Sequence, residues 1–250
     1  MNDWTISEAN FIKHCDWIRT HADPVSLDAI RDSQIAASRS TPMVAVTFDD
    51  GYHENCQHAI PHLLERNIPV TYFVSTHFVQ SGEPFPHDAK RNQCLRPNSI
   101  ADIQQMARLG VQIGAHSHTH VDFGKPMSTA HLRAEIFDVR KRLQDWTGQS
   151  IEYFAFPYGL KNNISQEAID CVFESGYRCF VSAAGGLNLP GQDADHLQRI
   201  HGDPGMGAFK NWLTFDPRKT QLPSPISYSK PQILNRAVES SKHELTCTGR

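Results

Sequence analysis

The sequence has no excess of basic charge, no Cys-x-x-Cys pair and no long apolar run. Its 24 lysines and arginines stand against 27 acids, a formal net charge of −3, with a pI near 6.5. A protein that binds nucleic acid or an anionic membrane needs a basic surface to attract phosphates, so neither is expected as a partner. The six cysteines, at 15, 56, 94, 171, 179 and 247, form no metal knuckle and no dense disulfide framework. They suit a reducing compartment or inert buried thiols. The opening MNDWTISEANF lacks the basic end and apolar run of a secretory signal, and no segment reaches membrane-spanning length. Together these absences predict a cytoplasmic location and no membrane span, and they leave the oligomeric state open.

What the chain does have is a 39% hydrophobic fraction, enough for one substantial core in 250 residues, and 14 histidines. From residue 43 onward short apolar runs alternate with segments of helical period, the pattern of repeated βα units around a parallel sheet or barrel. The strand candidates are 43–48, 69–74, 111–115, 151–156, 178–181 and 197–200. Helices are predicted at 54–66, 99–109, 128–147 and 165–175, with Ser165 as an N-cap and Gly110, Gly148 and Gly176 as stops. A further helix at 7–21 precedes the first strand. The proline-rich run 81–98 reads as a long loop, and 218–250 as a polar, poorly ordered tail beyond a domain at 1–217.

Three motifs fall where predicted parallel strands end, which is the face that carries active sites in barrels and open α/β sheets. The first is TFDDG, 47–51, in which two carboxylates leave the end of a core strand. On its own an Asp-Gly pair reads equally well as a turn. The second is GAHSHTH, 114–120. One helical turn across it places His116 and His120 on the same side, suited to sharing one metal ion, with His118 pointing away; the plainer reading is a solvated histidine loop. The third is FAFPYG, 154–159, which alone is a strand terminator.

Together these residues resemble the polysaccharide deacetylase family, the NodB-homology domain of carbohydrate esterase family 4, over roughly residues 5 to 215. The resemblance implies a distorted, incompletely closed (β/α) barrel and a metal-dependent hydrolase that removes acetyl groups, N-acetyl ahead of O-acetyl, from an oligosaccharide or polysaccharide. It makes Asp49 the general base and Asp50, His116 and His120 the ligands of a divalent metal, zinc first, with cobalt or nickel also compatible. It assigns the Tyr158 backbone N–H to stabilise the developing oxyanion. It makes His201, in LQRIHGDP, the candidate general acid. The chemistry needs those types: one carboxylate and two imidazoles leave positions open on a zinc-like ion for a water, and a second carboxylate takes its proton.

The chain departs from the family pattern in two places. Many members carry Arg-x-Pro-Tyr in the third motif, the arginine orienting the base; here that position is Ala155. Arg199, two residues before His201, is the candidate replacement, because a guanidinium can hold a carboxylate with two parallel hydrogen bonds. Some branches also have a Tyr-His upstream of the first helix that this chain starts too late to contain, which predicts a less complete barrel. Trp212 is weighed as a wall for the acetyl methyl or as plain core, and Phe85, His87 and Asp88 as groove-lining or solvated loop residues. Two other classes compete: an amidohydrolase-like enzyme using His116/His118 or His118/His120, and a non-catalytic carbohydrate-binding descendant.

Overall fold

The fold is that of a computed structural model, which describes residues 5–32, 41–91, 95–189, 191, 194–202, 205–214 and 226–229. Helix α1 (Glu8–His21), capped by Ser7, leads through β1 (Asp23–Pro24) and α2 (Leu27–Arg31) to β2 (Met43–Val44) and β3 (Val46–Phe48). The chain then alternates. A π-helical turn (Asn55–Ala59) runs into α3 (Ile60–Glu65), followed by β4 (Val70–Val74), α4 (Thr76–Ser81) and α5 (Pro86–Ala89). Next come α6 (Ile100–Arg108), β5 (Gln112–Ala115), α7 (Thr129–Thr147), β6 (Tyr153–Ala155) and a 3₁₀ turn (Lys161–Asn163). Last are α8 (Gln166–Glu174), β7 (Cys179–Val181), β8 (His196–Leu197) and α9 (Met206–Leu213).

Strands β3 to β8 are all parallel and lie in sequence order, an open, curled half-barrel; β1 and β2 form a separate two-stranded pair. The two-residue period of the strands splits the core. Tyr72, Val74, Ile113, Ala115, Phe154 and Phe180 pack outward against the helices. Phe73, Tyr153, Ala155, Cys179, Val181 and Leu197 fill the concave side, with Leu27 of α2 packed among them. Gly114 is required there, since a Cβ would stand 2.4 Å from the Phe73 ring. The end of the half-barrel next to α2 is closed by polar contacts: Tyr153 Oη and Gln112 Nε2 donate to the two oxygens of Asp28 at 2.5 and 2.8 Å.

The expected incompletely closed (β/α) barrel is therefore what the chain forms. Three local expectations need correction. The helix predicted over 54–66 is not uniformly α: Pro61 has no N–H to return to the preceding turn, and the segment before it widens into the π turn. The run 81–98 is not a structureless loop, because Pro86 starts the short α5 and Phe85 is fully buried against Phe78 and Tyr52. The single strand 43–48 is interrupted at Ala45, its two halves pairing in different sheets. Most of the predicted tail lies outside the described residues. Of the part within them, Ile226 is buried, Tyr228 packs edge-on to Phe180, and Ser229 exchanges two hydrogen bonds with Gln166. Among the described residues no helix is long and apolar enough to cross a membrane, and Cys15, Cys56, Cys171 and Cys179 are free, buried thiols.

Candidate active site

Asp49 and Asp50 follow β3 directly. Asp50 adopts a left-handed backbone (φ 75°) and Gly51 extends it (φ 106°). Asp50 is held in that conformation by a hydrogen bond from Ser75 N to its carbonyl. Such strain in a non-glycine residue persists where surrounding contacts over-determine it, and it turns the two neighbouring carboxylates in different directions.

The two histidines are not brought together by a helical turn. Residues 116–120 form an irregular loop in which Ser117 and His120 both have positive φ (62° and 57°). The helical alternative loses because other partners take the backbone groups. Ser75 Oγ donates to His116 O, Thr76 N to Ser117 O and His77 N to His118 O. From α7, buried Glu135 accepts from the N–H groups of His118 and Thr119 and from the Thr119 hydroxyl, at 2.7 to 2.9 Å. The loop nonetheless sets the His116 and His120 ring centroids 5.2 Å apart.

The resulting cluster fits a metal ion. Asp50 Oδ1 lies 3.3 Å from His116 Nε2 and 3.2 Å from His120 Nε2, and one ligand atom from each residue lies within 4.8 Å of the others. Despite that proximity, Asp50 Oδ1 is a buried atom with no directed hydrogen bond. His116 Nδ1 donates to the Ala155 carbonyl at 2.8 Å, so its Nε2 presents a lone pair, the tautomer a metal ligand requires. Burial opposes charge on the Asp50 carboxyl, but the two imidazoles outweigh it and hold the group well below the usual carboxylate range. Burial likewise works against protonated His116, and Asp49 and Asp50 reverse that effect, raising it.

Asp49 stands beside this cluster with a partner of its own. Arg199, beyond β8, donates through Nη1 and Nη2 to Oδ1 and Oδ2 at 2.6 and 2.8 Å, and through Nη1 to Thr47 Oγ1 at 3.1 Å. A residue after the last strand thus reaches the end of the first, across the open side of the half-barrel. Burial raises the Asp49 carboxyl, and Arg199 and then His116 overcome it, leaving it below its ordinary value. Tyr158 has a left-handed backbone (φ 63°), its side chain is about half exposed, and its ring lies 4.9 Å from His120. Among the described residues no hydrogen bond from its N–H is found. His201 is exposed, two residues past Arg199, and Trp212 of α9 lies near Gly185, after β7.

His118 does not join the cluster. Its Nδ1 accepts from Arg142 Nη1 at 2.8 Å and lies 2.9 Å from Thr76 Oγ1, and burial with Arg142 lowers its pKa. Among the described residues the group able to hold an ion comprises Asp50, His116 and His120, without His118. Two contributors were missed by motif reading. The Ala155 carbonyl carries no sequence signal of its own. Glu135 did: it interrupts the apolar stripe Leu132, Ile136, Val139 and Leu143 of α7, and a carboxylate on a buried helix face needs partners.

The family model described as polysaccharide deacetylase matches residues 36–179, more than half of the chain. The chain belongs to the polysaccharide deacetylase family. It is 22% identical over 207 residues to YxkH of Bacillus subtilis (strain 168), which carries a polysaccharide deacetylase name, covering 82% of this chain and 68% of that one. It is 24% identical over 139 residues to a bifunctional xylanase/deacetylase of Pseudobutyrivibrio xylanivorans, covering 56% of this chain but only 20% of the larger protein. Among solved structures, the Streptococcus pyogenes deacetylase PplD in complex with acetate superposes with a TM-score of 0.71 at 16% identity, covering 86% of this chain and 90% of that one. The likeness to PplD establishes a shared fold.

Proposed function

We propose that this polysaccharide deacetylase family member is a metal-dependent hydrolase that removes acetyl groups, N-acetyl ahead of O-acetyl, from an oligosaccharide or polysaccharide. The observation that carries the reading is the side-by-side pair of carboxylates: Asp50 converges with His116 and His120, while Asp49 is held apart from them by Arg199. Asp50, His116 and His120 would hold a divalent cation, zinc first, with cobalt or nickel accepted by the same ligands. When bound, such an ion supplies a water of lowered proton affinity and polarises the acetyl carbonyl.

The chain's own residues do the rest. Asp49, ionised and fixed by the guanidinium, takes the proton of the attacking water. The Tyr158 N–H donates to the oxygen on which negative charge develops. His201 protonates the departing amine or alcohol.

The test is acetate release by the zinc-loaded protein from N-acetylated chitooligosaccharides and O-acetylated xylooligosaccharides. Asp49→Asn and chelator-treated protein serve as controls. Asp49→Asn is expected to lower turnover by at least a hundredfold while binding zinc like the wild type, and chelation to abolish turnover until metal is restored. A wild type that binds these glycans without releasing acetate would instead establish a carbohydrate-binding descendant.

A further inference from the structure

Beside the Asp50 cluster stands a chain of hydrogen bonds that neither the ligands nor the base uses. Tyr52 donates its phenolic O–H to Asp88 Oδ2 at 2.5 Å, and the same oxygen lies 2.9 Å from His87 Nε2. The Asp88 side chain is 1% exposed and that of His87 39% exposed, so the buried end of the chain orients the open end. A phenol has one hydrogen to give, and here it goes to the carboxylate, the stronger acceptor. The Tyr52 oxygen therefore meets His87 with a lone pair, and Nε2 carries the hydrogen of the neutral ring. Nδ1 is left as an acceptor, with no hydrogen-bond partner among the described residues.

The location ties this acceptor to the chemistry. The His87 ring centroid lies 5.7 Å from that of His120 and 5.4 Å from that of fully buried Phe85. Phe85 also packs on Tyr52 at 4.8 Å, so the ring has a fixed floor as well as a fixed hydrogen. A network serving only to hold α5 has no need to end in a partly exposed ring beside His120. Sugars present O–H and amide N–H donors around every ring, and an acceptor at this distance from the cluster meets one of them.

Resting on the deacetylase reading, we propose that His87 is a substrate-binding residue, oriented by Tyr52 and Asp88. Through Nδ1 it accepts a hydrogen bond from a hydroxyl or amide N–H of the sugar whose acetyl group lies at the Asp50 cluster. One neutral hydrogen bond corresponds to roughly three- to tenfold in affinity. His87→Ala is therefore expected to raise KM for the best acetylated oligosaccharide three- to tenfold with kcat within about threefold and zinc affinity at the wild-type value, and to lower Tm only by the roughly 2–4 °C that losing one hydrogen bond to Tyr52 accounts for. His87→Asn, which keeps an acceptor, is expected to recover part of the loss. Tyr52→Phe, which frees the ring hydrogen, is expected to raise KM by a smaller factor.

The same comparison is made by calorimetry between Asp49→Asn and Asp49→Asn/His87→Ala, with each panel glycan, so that binding is read without turnover. Weaker binding in the double variant upholds the proposal even if the wild type releases no acetate, an outcome that would overturn the catalytic reading alone. Equal binding overturns it, as does a fall in kcat with KM unchanged, or a loss of zinc or of Tm equal to the loss of activity.

Discussion

Arg199 offers the most exposed point of the proposed mechanism, because in it one side chain from beyond the last strand is proposed to stand in for the arginine that the third motif lacks. Truncating it to alanine removes two hydrogen bonds to Asp49, at 2.6 and 2.8 Å. Bonds to an ionised group contribute roughly 1.5–3 kcal/mol each. The Asp49 side chain is 31% exposed, so water replaces much of what is lost and the net cost to stability is about 2 kcal/mol for the pair. Catalysis suffers more than stability, since a base free to swing by about 1 Å costs on the order of a hundredfold in rate. The guanidinium also helps hold the Asp49 carboxyl below its ordinary value. Its loss moves the acid limb of the rate profile to higher pH. Below the unfolded carboxylate value the pair's stabilisation fades as pH falls through the folded value, and the variant lacks that loss. Arg199→Lys keeps a charge but not the two-pronged geometry, so it is expected to recover the acid limb in part and little of kcat. The assays are kcat against pH at saturating zinc, zinc affinity by chelator competition, and thermal unfolding. Wild-type turnover in Arg199→Ala, with an unmoved acid limb, would refute the assignment of Arg199 to the base.

Two further outcomes are expected. Glu135→Ala leaves the N–H groups of His118 and Thr119 without their acceptor, so zinc affinity should fall about tenfold, in the range seen for outer-shell partners; Glu135→Gln, which keeps an oxygen acceptor, should lose less, and equal affinities in all three proteins would disprove the link between α7 and the metal loop. His196 is buried against Phe180 and Ser182 Oγ, and burial pushes its pKa down to about 4. Between the ordinary histidine value near 6.5 and about 4 the unfolded chain binds the extra proton, so stability falls as pH drops through that window, by up to about 3 kcal/mol. His196→Gln should flatten the dependence of unfolding free energy on pH there, and an unchanged slope would count against it.

The alternation of the main strands and helices, the parallel half-barrel and the positions of the motifs at strand ends were legible in the sequence, whereas the short elements α2, α4, α5 and α9 were not. The legible features follow from local rules: apolar runs of strand length, caps such as Ser165, and glycine stops at 110, 148 and 176, each of which takes the positive φ expected of it. Asp50, His116 and His120, which the fold brings together, and Asp49 beside them all lie in short motifs that could be picked out in the sequence. How they meet was not legible there. A helical turn over 116–120 satisfies the spacing, yet the loop obeys hydrogen bonds from Ser75, Thr76 and His77 and to Glu135, two of them through side chains and all outside the motif. The Arg199–Asp49 pair spans 150 residues, and the alignment of His87 depends on Tyr52, 35 positions before it. Sequence determines what each strand end can offer, because pattern and propensity act over a few residues. Which offers combine depends on the curl of the sheet, which brings distant backbone to within hydrogen-bonding reach, and only the folded chain sets that.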